Sequence, residues 1–207
     1  MGKKDLNQIN YSLGEWLVKG VTLQFLFIFY TVRGGIFLGF FPALTSTFAV
    51  IYQFMLGENN DLDYRSLFKR YYHKQFKESN LLGLFIIGVG AFLWLDLQIS
   101  ATYLKISMLH VLLLFFFVTY IATVLYLFPI YIRYQLSPIL TIRQAFIVSF
   151  SSIIETCALF LGIGLVSLLG VALPIVFIGA SIPLLVWPIN WFAIQACTKL
   201  EKKIQSQ

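Results

Sequence analysis

Charge is scarce in this chain of 207 residues. Asp, Glu, Lys and Arg together make up 12%, about half the share of an ordinary soluble domain. A fold that stays in water needs more polar surface than that, so a free cytosolic enzyme, a disulfide-rich secreted module and a disordered segment are all excluded. Cysteine occurs twice, at Cys157 and Cys197, each inside an apolar run. No disulfide framework and no metal site is expected from two such thiols. There are two histidines, His73 and His110, too far apart in the topology below to act together. No phosphate-binding G-x-x-x-x-G-K-[ST], no G-x-S-x-G and no H-E-x-x-H occurs. Neither a nucleophile with its base nor a pair of aspartates falls within an apolar run, as intramembrane proteolysis would require. Enzymatic activity and a bound cofactor are therefore not expected.

What the chain has in excess is apolar surface. Hydrophobic residues make up 59%, with 21 Phe, and the mean hydropathy is +0.82. That surface must face lipid, so the chain reads as an integral membrane protein. Apolar segments run over about 16–32, 36–56, 80–99, 106–128, 150–172 and 174–197, each near the roughly 20 residues that a spanning helix needs. Arg33-Gly34-Gly35 reads as a turn between the first two. Lys3 and Lys4 precede an apolar run, but no small-x-small site follows, so no cleavable signal peptide is expected. No repeat and no room for a separate soluble domain is found, which makes residues 1–207 one transmembrane domain.

Lys and Arg number 15 against 9 acids, a net charge of +6. In a soluble chain this would suggest nucleic acid. Here the basic residues lie between apolar runs, where they set topology and meet anionic lipid. With residues 57–79 cytoplasmic and six spans, thirteen of the fifteen basic residues fall inside, leaving only Arg33 and Lys105 outside. This favours an all-α polytopic bundle of about six spans in the cell membrane with both termini cytoplasmic. Five spans remain possible. Residues 16–56 would then cross once and continue as a helix partly in the interface, a reading to which Thr45, Ser46 and Thr47 give weight.

Within the polar segment, Asp63 is placed to cap a helix. Tyr64, Leu67, Phe68, Tyr71, Tyr72 and Phe76 then recur at helical spacing, with Arg65, Lys69, Arg70, His73, Lys74 and Lys77 projecting elsewhere. This predicts an amphipathic helix over about 64–77 in the cytoplasmic interface. Arg65, Phe68, Lys69, Arg70, Tyr71, Tyr72, Lys74 and Phe76 are its candidate contacts, either with membrane lipid as an anchor or with a partner protein as a docking surface. Asp61-Leu62-Asp63 offers too few oxygens for a divalent ion and reads as turn and cap.

Glu155 is the one charge in the long apolar stretch before Thr198. It is the candidate intramembrane polar residue, either deep and functional or at the inner interface. Pro183 and Pro188 should kink the last helix. Gly35-Ile36-Phe37-Leu38-Gly39, Gly88-Val89-Gly90 and Gly162-Ile163-Gly164 permit close helix contact. Asp96 and Lys105 could pair across a short turn.

Several features recur in a recognisable order. Gly39-Phe40-Phe41-Pro42-Ala43-Leu44-Thr45-Ser46-Thr47 is followed by Gly57-Glu58, then by the stretch from Phe68 to Gly83. Leu127-Phe128-Pro129 and the segment Leu140 to Phe150 follow. This order resembles the YesL-like family of bacterial membrane proteins over nearly the whole chain. One departure is that Tyr52-Gln53-Phe54-Met55-Leu56 lacks the basic residues that family members often carry before the Gly-Glu, which favours a full second span. The resemblance supplies no catalytic residues. It implies an accessory or regulatory role beside a carbohydrate ABC importer, with permease subunits as partners. The alternative is a small stand-alone transporter or channel, resting on Glu155 and the two prolines.

Overall fold

Each of the six apolar stretches forms a helix, since a backbone in lipid must pair its own polar groups. The computed structural model describes residues 3–57, 63–104 and 107–205, with side chains for 18–57, 63–103, 107–203 and 205. In chain order the helices are α1 (Lys3–Arg33), α2 (Phe37–Leu56), α3 (Tyr64–Lys74), α4 (Phe76–Ile99), α5 (Ser107–Tyr134), α6 (Pro138–Ser151), α7 (Ile153–Ala172) and α8 (Pro174–Gln205). A wide turn, Ser100–Leu104, extends α4. No strand occurs among the described residues. Five described helices are long and apolar enough to cross a membrane: Phe37–Leu56, Phe76–Tyr103, Ser107–Tyr134, Ile153–Ala172 and Pro174–Lys203. The protein is an all-α polytopic bundle.

Two boundaries differ from expectation. The stretch between the apolar segments 106–128 and 150–172 holds the end of α5, a three-residue link and nearly all of α6. Ser137 is extended and Pro138 occupies the first helical position, where its missing N–H is not needed. The span expected from residue 150 starts at Ile153, because Ser152 leaves helical geometry at φ −123° and ψ 55°. The last helix does bend, and the break falls at Ala180 (φ −148°, ψ 27°), three residues before Pro183.

Antiparallel hairpins make up most of the bundle. In α7 and α8, Gly170 faces Phe177, Gly162 faces Phe192, and Glu155 pairs with Lys199. In α4 and α5, Gly90 faces the Tyr120 ring and Glu78 accepts a hydrogen bond from Tyr131. One end of the bundle collects the polar groups: Glu78, Tyr131, Arg133, Tyr134, Lys199 and Glu201.

Helix α2 does not run alongside these hairpins. The α4–α5 pairings above put Gly83 and Phe128 at nearly the same depth. Phe41 fits against Gly83, whose missing Cβ makes room for the ring, and Phe48 stacks on Phe128 at 5.5 Å between centroids. Phe41 and Phe48 are about 10 Å apart along their own helix, so α2 crosses the hairpin while hardly changing depth. It packs against α1, α3, α4, α5 and α8. Every residue from Thr45 to Ile51 is buried. The hydroxyls of Thr45, Ser46 and Thr47 donate to the carbonyls of Phe41, Pro42 and Ala43, four residues back. They are satisfied without water, so their presence does not mark a wet interface.

The turn from α1 into α2 uses two positive φ angles, 81° at Gly35 and 53° at Ile36. Of the expected Gly35–Gly39 pair, only Gly39 is a contact glycine. A Cβ there would strike the carbonyls of Tyr30 and Thr31, whereas one on Gly35 would meet nothing. Gly34 is held against Gly39 and the Tyr72 hydroxyl. The turn therefore lies on α3 and not across the membrane from it, as six full spans required. The count that put Lys3, Lys4 and Lys19 inside rested on that arrangement. The side chains of Lys3 and Lys4, and Lys105 with its expected partner contact to Asp96, lie outside the described residues.

Candidate functional site

Helix α3 starts where its sequence says it should. Asp63 is the N-cap, and its Oδ1 accepts from the Arg65 backbone N–H at 3.1 Å. The rest of the Asp61-Leu62-Asp63 run lies outside the described residues. The helix ends at Lys74 rather than 77, because Gln75 (φ −105°, ψ 10°) breaks it. Phe76 and Lys77 accordingly open α4.

The apolar face of α3 is not available to a membrane or a partner. Leu67, Phe68, Tyr71 and Tyr72 are all buried, Phe68 completely. The Tyr30 ring of α1 meets Phe68 at 5.2 Å and Tyr72 at 4.8 Å between centroids. The Tyr72 hydroxyl donates to the Tyr30 carbonyl at 3.1 Å, and Phe76 packs against the same ring at 5.6 Å. Burial raises the Tyr72 hydroxyl pKa above its ordinary value, helped by Tyr30 and opposed by Arg33. Tyr64 stacks on Phe54 at 5.3 Å, and the Tyr71 hydroxyl accepts from Gln53 at 3.4 Å. The expectation that Phe68, Tyr71 and Tyr72 touch a partner or lipid is thereby corrected. A helix packed on α1 and α2 spends its apolar face inside the protein.

The basic face is what remains outside. Arg65, Lys69, Arg70, His73 and Lys74 are exposed. Arg70 rests 5.7 Å from the centre of the Tyr71 ring, and Lys74 donates to Gln135 at 3.4 Å. No ion pair joins Arg65, Lys69 or Arg70 to any described residue. A run of cations with no ion pair among the described residues, on a helix clamped by aromatic packing, is a rigid anion-facing surface.

Glu155 sits in the first turn of α7, where the helix dipole favours an acid. Its Oε1 is 2.7 Å from Lys199 Nζ, and its Oε2 has no hydrogen-bond partner among the described residues. This is an ion pair at the end of a helix. Sequence reasoning missed a stronger cluster beside it. Arg133 reaches Glu201 at 2.8 and 3.3 Å through two nitrogens, and the Tyr134 hydroxyl donates to the same carboxylate at 2.5 Å. The available signal was an acid in the polar tail after Thr198, set against Arg133 at the end of an apolar run. Cys157 and Cys197 are both free.

The family model described as "Protein of unknown function, DUF624" matches residues 21–97. The uncharacterized protein YesV of Bacillus subtilis (strain 168) is 31% identical over 205 residues, covering 92% of each chain. This chain belongs to the DUF624, or YesL-like, family. Two further relatives from the same organism are the uncharacterized proteins YesL and YteU. YesL is 28% identical over 66% of this chain and 64% of its own length. YteU is 26% identical over 65% of this chain and 61% of its own. The match thus spans just under two thirds of each of those two. The DUF624 match takes in the later part of α1, the crossing helix, α3 and most of α4. No solved structure matches the chain.

Proposed function

We propose that this protein is a non-enzymatic, multi-pass protein of the cell membrane that acts by binding another membrane protein through the basic face of α3. The partner implied by the family resemblance is the permease of a carbohydrate ABC importer, which the chain would assist or regulate. The observation that carries the reading is the outward row Arg65, Lys69 and Arg70 on a helix whose opposite face is locked by Phe68 and Tyr72. Rigid presentation lowers the ordering cost of binding, and a row of exposed cations favours an acidic counterpart. The polar end with α3, Arg133, Lys199, Lys202 and Lys203 faces the cytoplasm in this reading, following the positive-inside rule.

The test is charge reversal at Arg65, Lys69 and Arg70 to Glu, followed by mild-detergent purification from native membranes. These side chains leave the core untouched, so membrane abundance should hold while permease recovery falls at least tenfold, since three charges near an acidic surface are each worth about 1 kcal/mol. Equal permease recovery at equal abundance would remove the proposal. Replacing Phe68 and Tyr72 would not test it, because those residues hold the fold.

A further inference from the structure

A second surface is separate from α3. Helices α4, α5 and α6 enclose a cleft of about 380 Å³, within the size range of small-ligand sites. It follows α5 from Phe116 to Thr123, about 12 Å of helix, with Phe85 and Phe146 on its walls. Its walls are mostly hydrocarbon and aromatic, and two of its three hydroxyls are already used: Tyr120 donates to the Ile86 carbonyl and Thr123 to the Thr119 carbonyl. Beyond Thr119 and Arg143 a peptide would find no polar side chain there to pair its backbone groups, whereas an alkyl chain needs none. Phe116 and Phe146 are 50% and 47% exposed, so the cleft opens sideways to the bilayer.

One charged side chain lines it. Arg143 is exposed and makes no hydrogen bond or ion pair with any described residue. It lies in the second turn of α6, which follows the end of α5 after a three-residue link. That places Arg143 toward the polar end of the bundle, at the depth where headgroups lie. We propose that the cleft holds one acyl chain of an anionic phospholipid, with the lipid phosphate on the Arg143 guanidinium. A guanidinium matches two phosphate oxygens at once, and its carbon stem can lie along the apolar wall while the charge reaches the headgroup.

Native mass spectrometry of the detergent-purified protein tests this, with equal amounts of dioleoyl phosphatidylglycerol and dioleoyl phosphatidylcholine added. Retention should favour phosphatidylglycerol by about fivefold, the contribution of one basic side chain near an anionic headgroup. Arg143→Gln should abolish that preference, and Lys202→Gln, which also removes one exposed charge, should leave it. Thr119→Phe, which fills the cleft, should lower retention of both lipids. Phosphatidylglycerol preference that survives Arg143→Gln would overturn the proposal. So would equal retention of the two lipids by the wild type, which would mark an unspecific lipid annulus. Because Arg143 is exposed and makes no hydrogen bond or ion pair with any described residue, Arg143→Gln should keep the fold and the comparison is decisive.

Discussion

Helices α2 and α4 are both apolar, of 20 and 24 residues, and either could cross a membrane by length. Within the protein ten residues of α2 are buried, against three of α4. On α4, Leu84, Ile87, Phe92 and Leu95 point away from the bundle. On α2, Gly39, Ala43, Ser46 and Ala49 repeat at helical spacing and are buried. Lipid tails are as apolar as leucine, so apolarity alone does not sort a membrane helix into core or periphery. Small residues do, since they let neighbouring backbones and rings approach, and self-bonded hydroxyls add no unpaired donor. The crossing of α2 needs both, because it meets five other helices whereas α4 meets three.

The comparison breaks most sharply at phenylalanine. Phe48 is 4% exposed and stacked on Phe128, whereas Phe92 is 64% exposed. Phe48→Ala removes a packed ring and should cost about 3–5 kcal/mol. Phe92→Ala exchanges one lipid contact for another and should cost close to nothing. Unfolding of both variants by titration with a denaturing detergent measures the difference. Comparable losses would mean that α2 is no more central than α4.

Much of this was legible beforehand. The six apolar runs became helices, Asp63 capped α3, and the last helix broke near its prolines. The direction of α2 was not legible, because crossing depends on which rings meet Gly83 and Phe128, and those are contacts of long sequence separation. The amphipathic pattern of α3 was read correctly as a pattern but assigned to the wrong neighbour. Helical spacing shows that Leu67, Phe68, Tyr71 and Tyr72 share a face, and is silent on whether lipid or Tyr30 covers it. Helix α6 carried its own signal in Ser137-Pro138, which the charges at Arg133 and Arg143 disguised as a loop.

A second, smaller effect is expected where α1 repairs the break in α8. Ala180 leaves the helix, and the Ile182 N–H is bonded instead to Gln24 Oε1 at 3.1 Å. Gln24 Nε2 also donates to Ser181 Oγ at 3.3 Å. Gln24→Leu leaves that backbone donor unpaired in an apolar setting, which should cost about 1–3 kcal/mol. The same detergent titration reads it. Gln24→Glu, which keeps an acceptor, should lose less if it is added at a pH where the acid is protonated. A loss that does not depend on the acceptor would assign Gln24 to packing alone.

The smallest effect is expected at the hydroxyl run of α2, the feature that gave weight to an interfacial helix. Thr45, Ser46 and Thr47 are fully buried, yet each hydroxyl bonds only to a carbonyl of its own helix. Those carbonyls lie inside a helix, where the backbone N–H four residues on is the standard partner; removing a hydroxyl should therefore leave no carbonyl orphaned. Thr45→Val and Thr47→Val preserve shape, and Ser46→Ala removes a single oxygen. The triple variant should unfold within about 1 kcal/mol of the wild type, the usual net worth of an exchanged hydrogen bond. Combined with Asn190→Leu, which removes the donor to the Phe48 carbonyl at 3.0 Å, the losses should add if the four side chains act separately. A triple variant that folds normally but no longer recovers the permease would show that these hydroxyls serve more than the helix that carries them, and α2 would then be a site as well as a strut.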